Sequence, residues 1–143
     1  MDRFFTSSDR NLQLFIEETD TISIKIKSRI KARALKIPVV MASDNGDNVI
    51  VDVERFDLEP DRPLFHGLVD ENELLNFPKY PSASQKARIA VKIVGTKITP
   101  RLQYSLTVVE ARVPTWPQLG TGASIAGAVA CYVARRILTG ATM

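Results

Sequence analysis

Residues 22–37 read ISIKIKSRIKARALKI. Ile22, Ile24 and Ile26 alternate with Ser23, Lys25 and Lys27, and Arg29, Lys31 and Arg33 continue the odd positions. Side chains of a strand alternate between its two faces. Read as a strand, this segment has one aliphatic face and one row of cations without an acid. From Ile22 to Ala34 such a strand would be about 43 Å long at roughly 3.3 Å per residue, so a bend or break is expected near Ser28–Ala32. Pro38 then ends the ladder or lies on an edge.

Working outward, residues 11–17 (NLQLFIE) also alternate, and Glu18-Thr19-Asp20 is a turn. Together with the basic ribbon they predict an N-terminal β-hairpin. Asp44-Asn45-Gly46-Asp47 is a strong turn signal, because Asn-Gly tolerates positive φ. A strand over Asn48–Phe56 follows, with Val49, Val51 and Val53 on one face. Residues 57–82 hold four prolines and many acids, which predicts an irregular connection with a helical turn at Glu71–Leu75. Residues 86–94 (KARIAVKIV) place Ile89, Val91 and Ile93 on one strand face and Lys86, Arg88 and Lys92 on the other. Gly95–Arg101 turns the chain, residues 102–113 form a second long strand, and Pro114-Thr115-Trp116-Pro117 breaks it. A helix is predicted near Gly122–Leu138, where Ile125, Val129, Val133 and Ile137 recur every four residues with Tyr132 beside them. Arg135 and Arg136 suit its C-terminal dipole, and Gly140 is a stop. These elements make one α+β domain over residues 1–143. It comprises a hairpin region at about 1–35, an antiparallel sheet over 36–114 and a C-terminal helix over 120–139.

The charge is segregated. The net charge is only +3, yet Thr21–Val40 holds six Lys/Arg and no acid, Ser43–Asn76 holds ten Asp/Glu against Arg55 and Arg62, and Lys79–Arg112 holds seven Lys/Arg against Glu110. Segregated positive charge binds polyanions even at small net charge, and it is equally the mark of a solvated face. A single cysteine, Cys131, excludes an intrachain disulfide and a cysteine metal cluster, and its apolar neighbours predict a buried thiol. The start, MDRFFTSSDR, lacks the apolar core of a signal peptide. The apolar run at 122–134 is shorter than the roughly 20 residues that span a bilayer.

No catalytic or metal constellation stands out, and no cofactor is expected. His66 is the only histidine and reads as a surface or hinge residue, since a triad or zinc site needs more. Asp57, Glu59 and Asp61 read as an acidic loop rather than a hard-cation site. Nucleic acid is the better candidate: Lys25, Lys27 and Arg29 on one ribbon, with Lys86, Arg88 and Lys92 on another, would lie side by side in an antiparallel sheet.

Residues 82–97 (SASQKARIAVKIVGTK), 101–116 (RLQYSLTVVEARVPTW) and the terminal helix resemble the coat proteins of small single-stranded RNA bacteriophages. The shared pattern is a basic strand, a loop and a last strand closing on Glu110, Val113, Pro114 and Trp116 before helical structure. It covers about 60 of the 143 residues. The resemblance implies an intertwined homodimer whose sheets join and whose helices cover the partner, assembling into an icosahedral shell with the sheet facing packaged RNA. Lys86, Arg88 and Lys92 fall on the RNA side of the basic strand. Aligning on Pro114 puts Tyr104, Leu106, Val108 and Glu110 on the RNA side of the last strand. Alternation puts Gln103, Ser105 and Thr107 there instead, and a bulge near Val108-Val109 reconciles the two. Ile125, Val129, Tyr132, Val133 and Ile137 would form the dimer and packing helix.

The leading expectation is therefore a non-enzymatic coat protein. Its partners are itself and single-stranded RNA, with no small-molecule substrate and no membrane, and its place is the virion, assembled in the host cytoplasm. A non-capsid single-stranded nucleic-acid-binding module and a matrix-type protein on anionic lipid are the alternatives.

Overall fold

The computed structural model describes residues 2–6, 12–94, 98–109, 111–113 and 118–141. Expectations that rest on Gly95–Lys97, on Glu110 and on Pro114–Pro117 fall outside them.

The segment at 22–37 is a helix followed by a strand. Helix α2 spans Ile22–Ala34. Its sequence carries two periods at once: Ile22, Ile24 and Ile26 repeat every two residues, while Ile22, Ile26 and Ile30 repeat every four. Only the second lets the segment bury a continuous stripe. Ile26, Ser28, Arg29 and Ala32 are buried, whereas Ile24 is exposed. Lys31 and Arg33 lie in the last turn, where cations favour the helix dipole. Lys36 adopts φ 55°, and the amides of Lys36 and Ile37 close on the carbonyls of Arg33 and Ala32. This is a Schellman stop with lysine in the position glycine usually fills. The predicted N-terminal hairpin is thus corrected to a crossover. Strand β1 (Phe15–Ile16) runs parallel to β2 (Val39–Asn45), with α2 between them.

Strand β2 then pairs antiparallel with β3 (Asn48–Glu54) through the two-residue turn Gly46-Asp47, where Gly46 takes φ 68°. This hairpin lies where the Asn-Gly signal placed it. The sheet is three-stranded and mixed, in the order β1-β2-β3, in place of the larger antiparallel sheet expected. The α+β class holds.

The sheet has a helical layer on each face. Val39 and Met41 point into a core with Phe5, Phe15, Ile26, Ala32, Phe56, Leu64, Phe65, Leu74, Ile89 and Ile93. Val40 and Ala42 point the other way, onto helix α6 (Gly120–Leu138), with Val49, Val51 and Val53 beside them. The small stripe of α6, Gly122, Ala126, Ala130 and Ala134, is buried on its own sheet. A Cβ on Gly122 would lie 3.0 Å from the Gly46 carbonyl oxygen and 3.2 Å from the Asp44 Cβ, so glycine sets how closely α6 meets the hairpin. The proposed dimer stripe divides accordingly. Ile137 is buried, Val129 and Val133 are half-buried, and Ile125 and Tyr132 face solvent. Cys131 is exposed, correcting the expectation of a buried thiol.

One helix lies where a helical turn is expected, and two others replace expected strands. The turn predicted at Glu71–Leu75 is helix α3 with those bounds, capped by Asp70, whose carboxylate accepts from the Glu73 amide. Residues Ala83–Val94 are helix α4 rather than a basic strand: Ile89 and Ile93 are buried and Val91 is exposed, which is helical spacing. Its start is a capping box, in which Ser82 Oγ accepts from the Gln85 amide and Gln85 Oε1 from the Ser82 amide. Residues Pro100–Val108 are helix α5 rather than a strand. Thr99 Oγ1 caps it by accepting from the Leu102 amide, and Pro100 sits in the first turn. Helix α1 (Asp2–Phe5) brings Phe4 and Phe5 edge-on to Phe15.

Candidate functional site: a cleft above a buried ion network

The row of cations in α2 meets acids of the same chain. Lys25, Arg29 and Arg33 are four apart and share one helical face. Arg33 pairs with Glu71 of α3. Arg29, fully buried, donates from Nε to Glu54 Oε2 at 2.7 Å and from Nη1 to Glu17 Oε2 at 2.5 Å, with Asp52 Oδ2 3.5 Å from Nη2. Lys25 Nζ reaches the same Glu17 oxygen at 2.6 Å and the Met41 sulfur at 3.3 Å. The Arg29 guanidinium also lies 4.4 Å from the centre of the Phe65 ring. Removing ions from water is costly, and only close pairing with satisfied hydrogen bonds offsets it.

The carboxylates divide in response. Burial pushes Glu17 up, but Lys25, Thr19 and Arg29 outweigh it and hold the group below the ordinary carboxylate value. Burial pushes Glu54 up, the Asp52 charge adds to that, and Arg29 with the Phe65 amide offsets only part.

Acids from the middle of the chain pair with cations of both basic zones. Besides Arg29 and Arg33, Arg88 and Lys92 of α4 both pair with Glu73 of α3, at 2.6 and 2.9 Å. The nine residues expected to face RNA therefore do not form one face, although Lys25 and Lys86 line a common cleft. Lys25 and Arg29 belong to the interior network, Lys27 is exposed on α2, Arg88 and Lys92 are engaged by Glu73, and Lys86 lines a cleft. Gln103, Ser105 and Thr107 ride on α5, where Ser105 and Thr107 donate to the carbonyls of Arg101 and Tyr104 in their own helix. His66 does more than the surface role expected of it. It bonds Asp52 through Nε2, while Nδ1 accepts from Arg62 Nε at 3.2 Å. Asp57 and Glu59 are taken up by Arg55 and Arg62 in a local acidic loop, as expected.

Above the network opens a cleft of about 270 Å³. One wall comes from the chain just after β1 (Glu18, Thr19, Asp20) and from β2 (Met41–Asp44), with Ile22 and Lys25 of α2 at their junction. The facing wall is mostly apolar: Ala90, Val91, Ile93 and Val94 of α4, then Ile98 and Leu102. Asn45 Oδ1 accepts from the Thr99 amide at 3.1 Å, which ties the start of α5 to the hairpin and fixes that wall. Glu18 Oε1 accepts from the Ala42 amide at 2.9 Å, bridging β1 and β2. Burial raises its carboxyl above the ordinary value, and that amide offsets only part of the rise. Asp20 makes no hydrogen bond or ion pair with the described residues and stands open to the cleft. The sequence reading took Glu18-Thr19-Asp20 as a turn, because nothing local marks it as the end of a parallel strand. Among the described residues no three His, Cys, Asp or Glu side chains converge as metal ligands. None of the described helices is long and apolar enough to cross a membrane.

Comparison with known proteins finds one informative relative, an uncharacterized protein of Mycobacterium tuberculosis (strain CDC 1551 / Oshkosh) designated MT1398. It is 32% identical over 126 residues, which is 88% of this chain but 17% of that protein. The chain thus spans about a sixth of the length of the relative it matches. No family model and no solved structure matches.

Proposed function

We propose that the chain is a ligand-binding domain. Its cleft takes a compact molecule with a flat aromatic ring and hydroxyl donors, for which a nucleoside is the representative chemical class. One observation carries the reading: a cleft with a carboxylate wall and an apolar wall, placed at the carboxyl ends of two parallel strands joined by a helical crossover. In sheets with parallel strands, ligands sit outside those ends. Glu18 and Asp20 offer acceptors to hydroxyl groups, and Ile93, Val94, Ile98 and Leu102 offer a surface for a ring. The turn after β1 is acidic and lacks glycine, the opposite of a turn that cradles phosphate on backbone amides. With Lys25 and Lys86 also on the lining, the cleft carries mixed charge and suits a polar, uncharged ligand.

The coat-protein reading loses the strands it rested on, since 86–94 and 102–108 are helical. RNA remains the competing ligand in the test. Calorimetric titration with adenosine, guanosine, cytidine and a short single-stranded RNA separates the two. At least one nucleoside is expected to bind saturably, and Asp20→Asn should weaken it about tenfold, the value of one hydrogen bond to a charged group. Salt-sensitive RNA binding that ignores Asp20→Asn, with no nucleoside bound, would overturn the proposal in favour of a polyanion site.

A further inference from the structure

The corner at Leu64–Gly67 is strained. Phe65 sits at φ 49°, ψ 40° and His66 at φ 54°, ψ 22°, and Gly67 follows at φ 75°. Two consecutive non-glycine residues in the left-handed region are strained, and they persist only where surrounding contacts over-determine them. Those contacts converge on one side chain. The Phe65 amide donates to Glu54 Oε1 at 2.6 Å, and the other oxygen of Glu54 accepts from Arg29. His66 bonds one oxygen of Asp52, whose other oxygen lies toward Arg29. The Phe65 ring packs under the Arg29 guanidinium.

On its far side Arg29 binds Glu17 Oε2, the same oxygen that Lys25 Nζ approaches from the cleft. One carboxylate oxygen is thus shared by a buried arginine and a lysine that lines the ligand site. We propose that Arg29 couples the cleft to this corner, so that what Lys25 engages in the cleft sets the stability of the left-handed turn at Phe65 and His66. Drawing Lys25 off Glu17 leaves that oxygen to Arg29 alone, which pulls the guanidinium toward Glu17 and away from Glu54 and Asp52. The coupling rests on the cleft reading only for the identity of what enters, and it is testable with no ligand present.

The experiment is amide hydrogen exchange on the full chain, reading Phe65 relative to Ala130, which is buried on α6 across the sheet and outside the ion network. Lys25→Met should speed Phe65 exchange relative to Ala130 by at least fivefold, the lower end of ordinary coupling between sites. Lys25→Arg should restore it. Lys86→Met, which removes a charge from the same cleft but lies outside the network, should leave the ratio within about twofold, well below ordinary coupling. An unchanged ratio in Lys25→Met, or an equal change in Lys86→Met, would overturn the proposal. Either result leaves nucleoside binding to be judged on its own titration.

Discussion

Helices α2 and α6 invert what their compositions suggest. The first is rich in Lys and Arg, yet it carries Arg29 with no exposed surface into the core. The second is the most apolar stretch of the chain, yet it shows Ile125, Tyr132 and Leu138 to solvent and buries alanine and glycine. Hydropathy decides neither case. Arg29 is inside because Glu17, just after β1, and Asp52 and Glu54 of β3 surround it, and a planar guanidinium can serve several carboxylates at once. The small stripe of α6 is inside because close approach to β2 and β3 demands small side chains. Burial follows from the available partner and the available distance.

The strongest way to break this comparison is Arg29→Met. If pairing holds Arg29 inside, removing it leaves Glu54 without its cation, takes one partner from Glu17 and Asp52, and costs about 3–5 kcal/mol in chemical denaturation. Lys27→Met, two residues away and exposed, should change stability by no more than about 0.5 kcal/mol. Equal effects would mean that the network contributes nothing specific. On the α6 side, Gly122→Val forces a branched side chain against the Gly46 carbonyl and should cost about 1–3 kcal/mol.

A smaller effect of opposite sign is expected at Glu18. Its folded carboxyl titrates above the ordinary value, so ionising it costs the folded state as pH rises through that raised value, while in acid the cost vanishes. Glu18→Gln keeps an acceptor for the Ala42 amide. It should raise the melting temperature slightly at pH 7 and leave it unchanged well below the ordinary carboxylate value of 4.5. Glu17 runs the other way: its lowered carboxyl supports the fold above the ordinary range and loses that support as pH falls through the lowered value. The least effect is expected from Ile125→Ser and Tyr132→Ser on the open face of α6, within about 0.5 kcal/mol by thermal melting. A loss of 2 kcal/mol or more would show that this face is covered in solution.

Much of the fold was legible where a local signal is unambiguous. Asn45-Gly46 marked the β2–β3 hairpin, residues 71–75 read as a helical turn, and the apolar run near the C-terminus ended at Gly140. The reading failed where two periods coexist. Residues 22–34 and 86–94 satisfy both strand and helix spacing, and the decisive marks lay just outside: the Ser82/Gln85 capping box, Thr99-Pro100, and the Lys36 stop before Pro38. The cleft was not legible at all. It joins residues 18–20, 41–44, 86–94, 98 and 102, which no local spacing brings together, and its first wall depends on a two-residue strand. The mates of the basic row were in plain sight as the acidic middle zone, but charge patterning does not say whether such zones meet within one chain.

The most direct measurement is a map of backbone amide shifts in a ¹⁵N-labelled chain as adenosine is added. The account predicts shifts concentrated at residues 18–20, 41–44 and 90–94, saturating at about tenfold higher adenosine in Asp20→Asn. Shifts gathered instead along the exposed side of α2, or no saturable shift with any nucleoside, would contradict it.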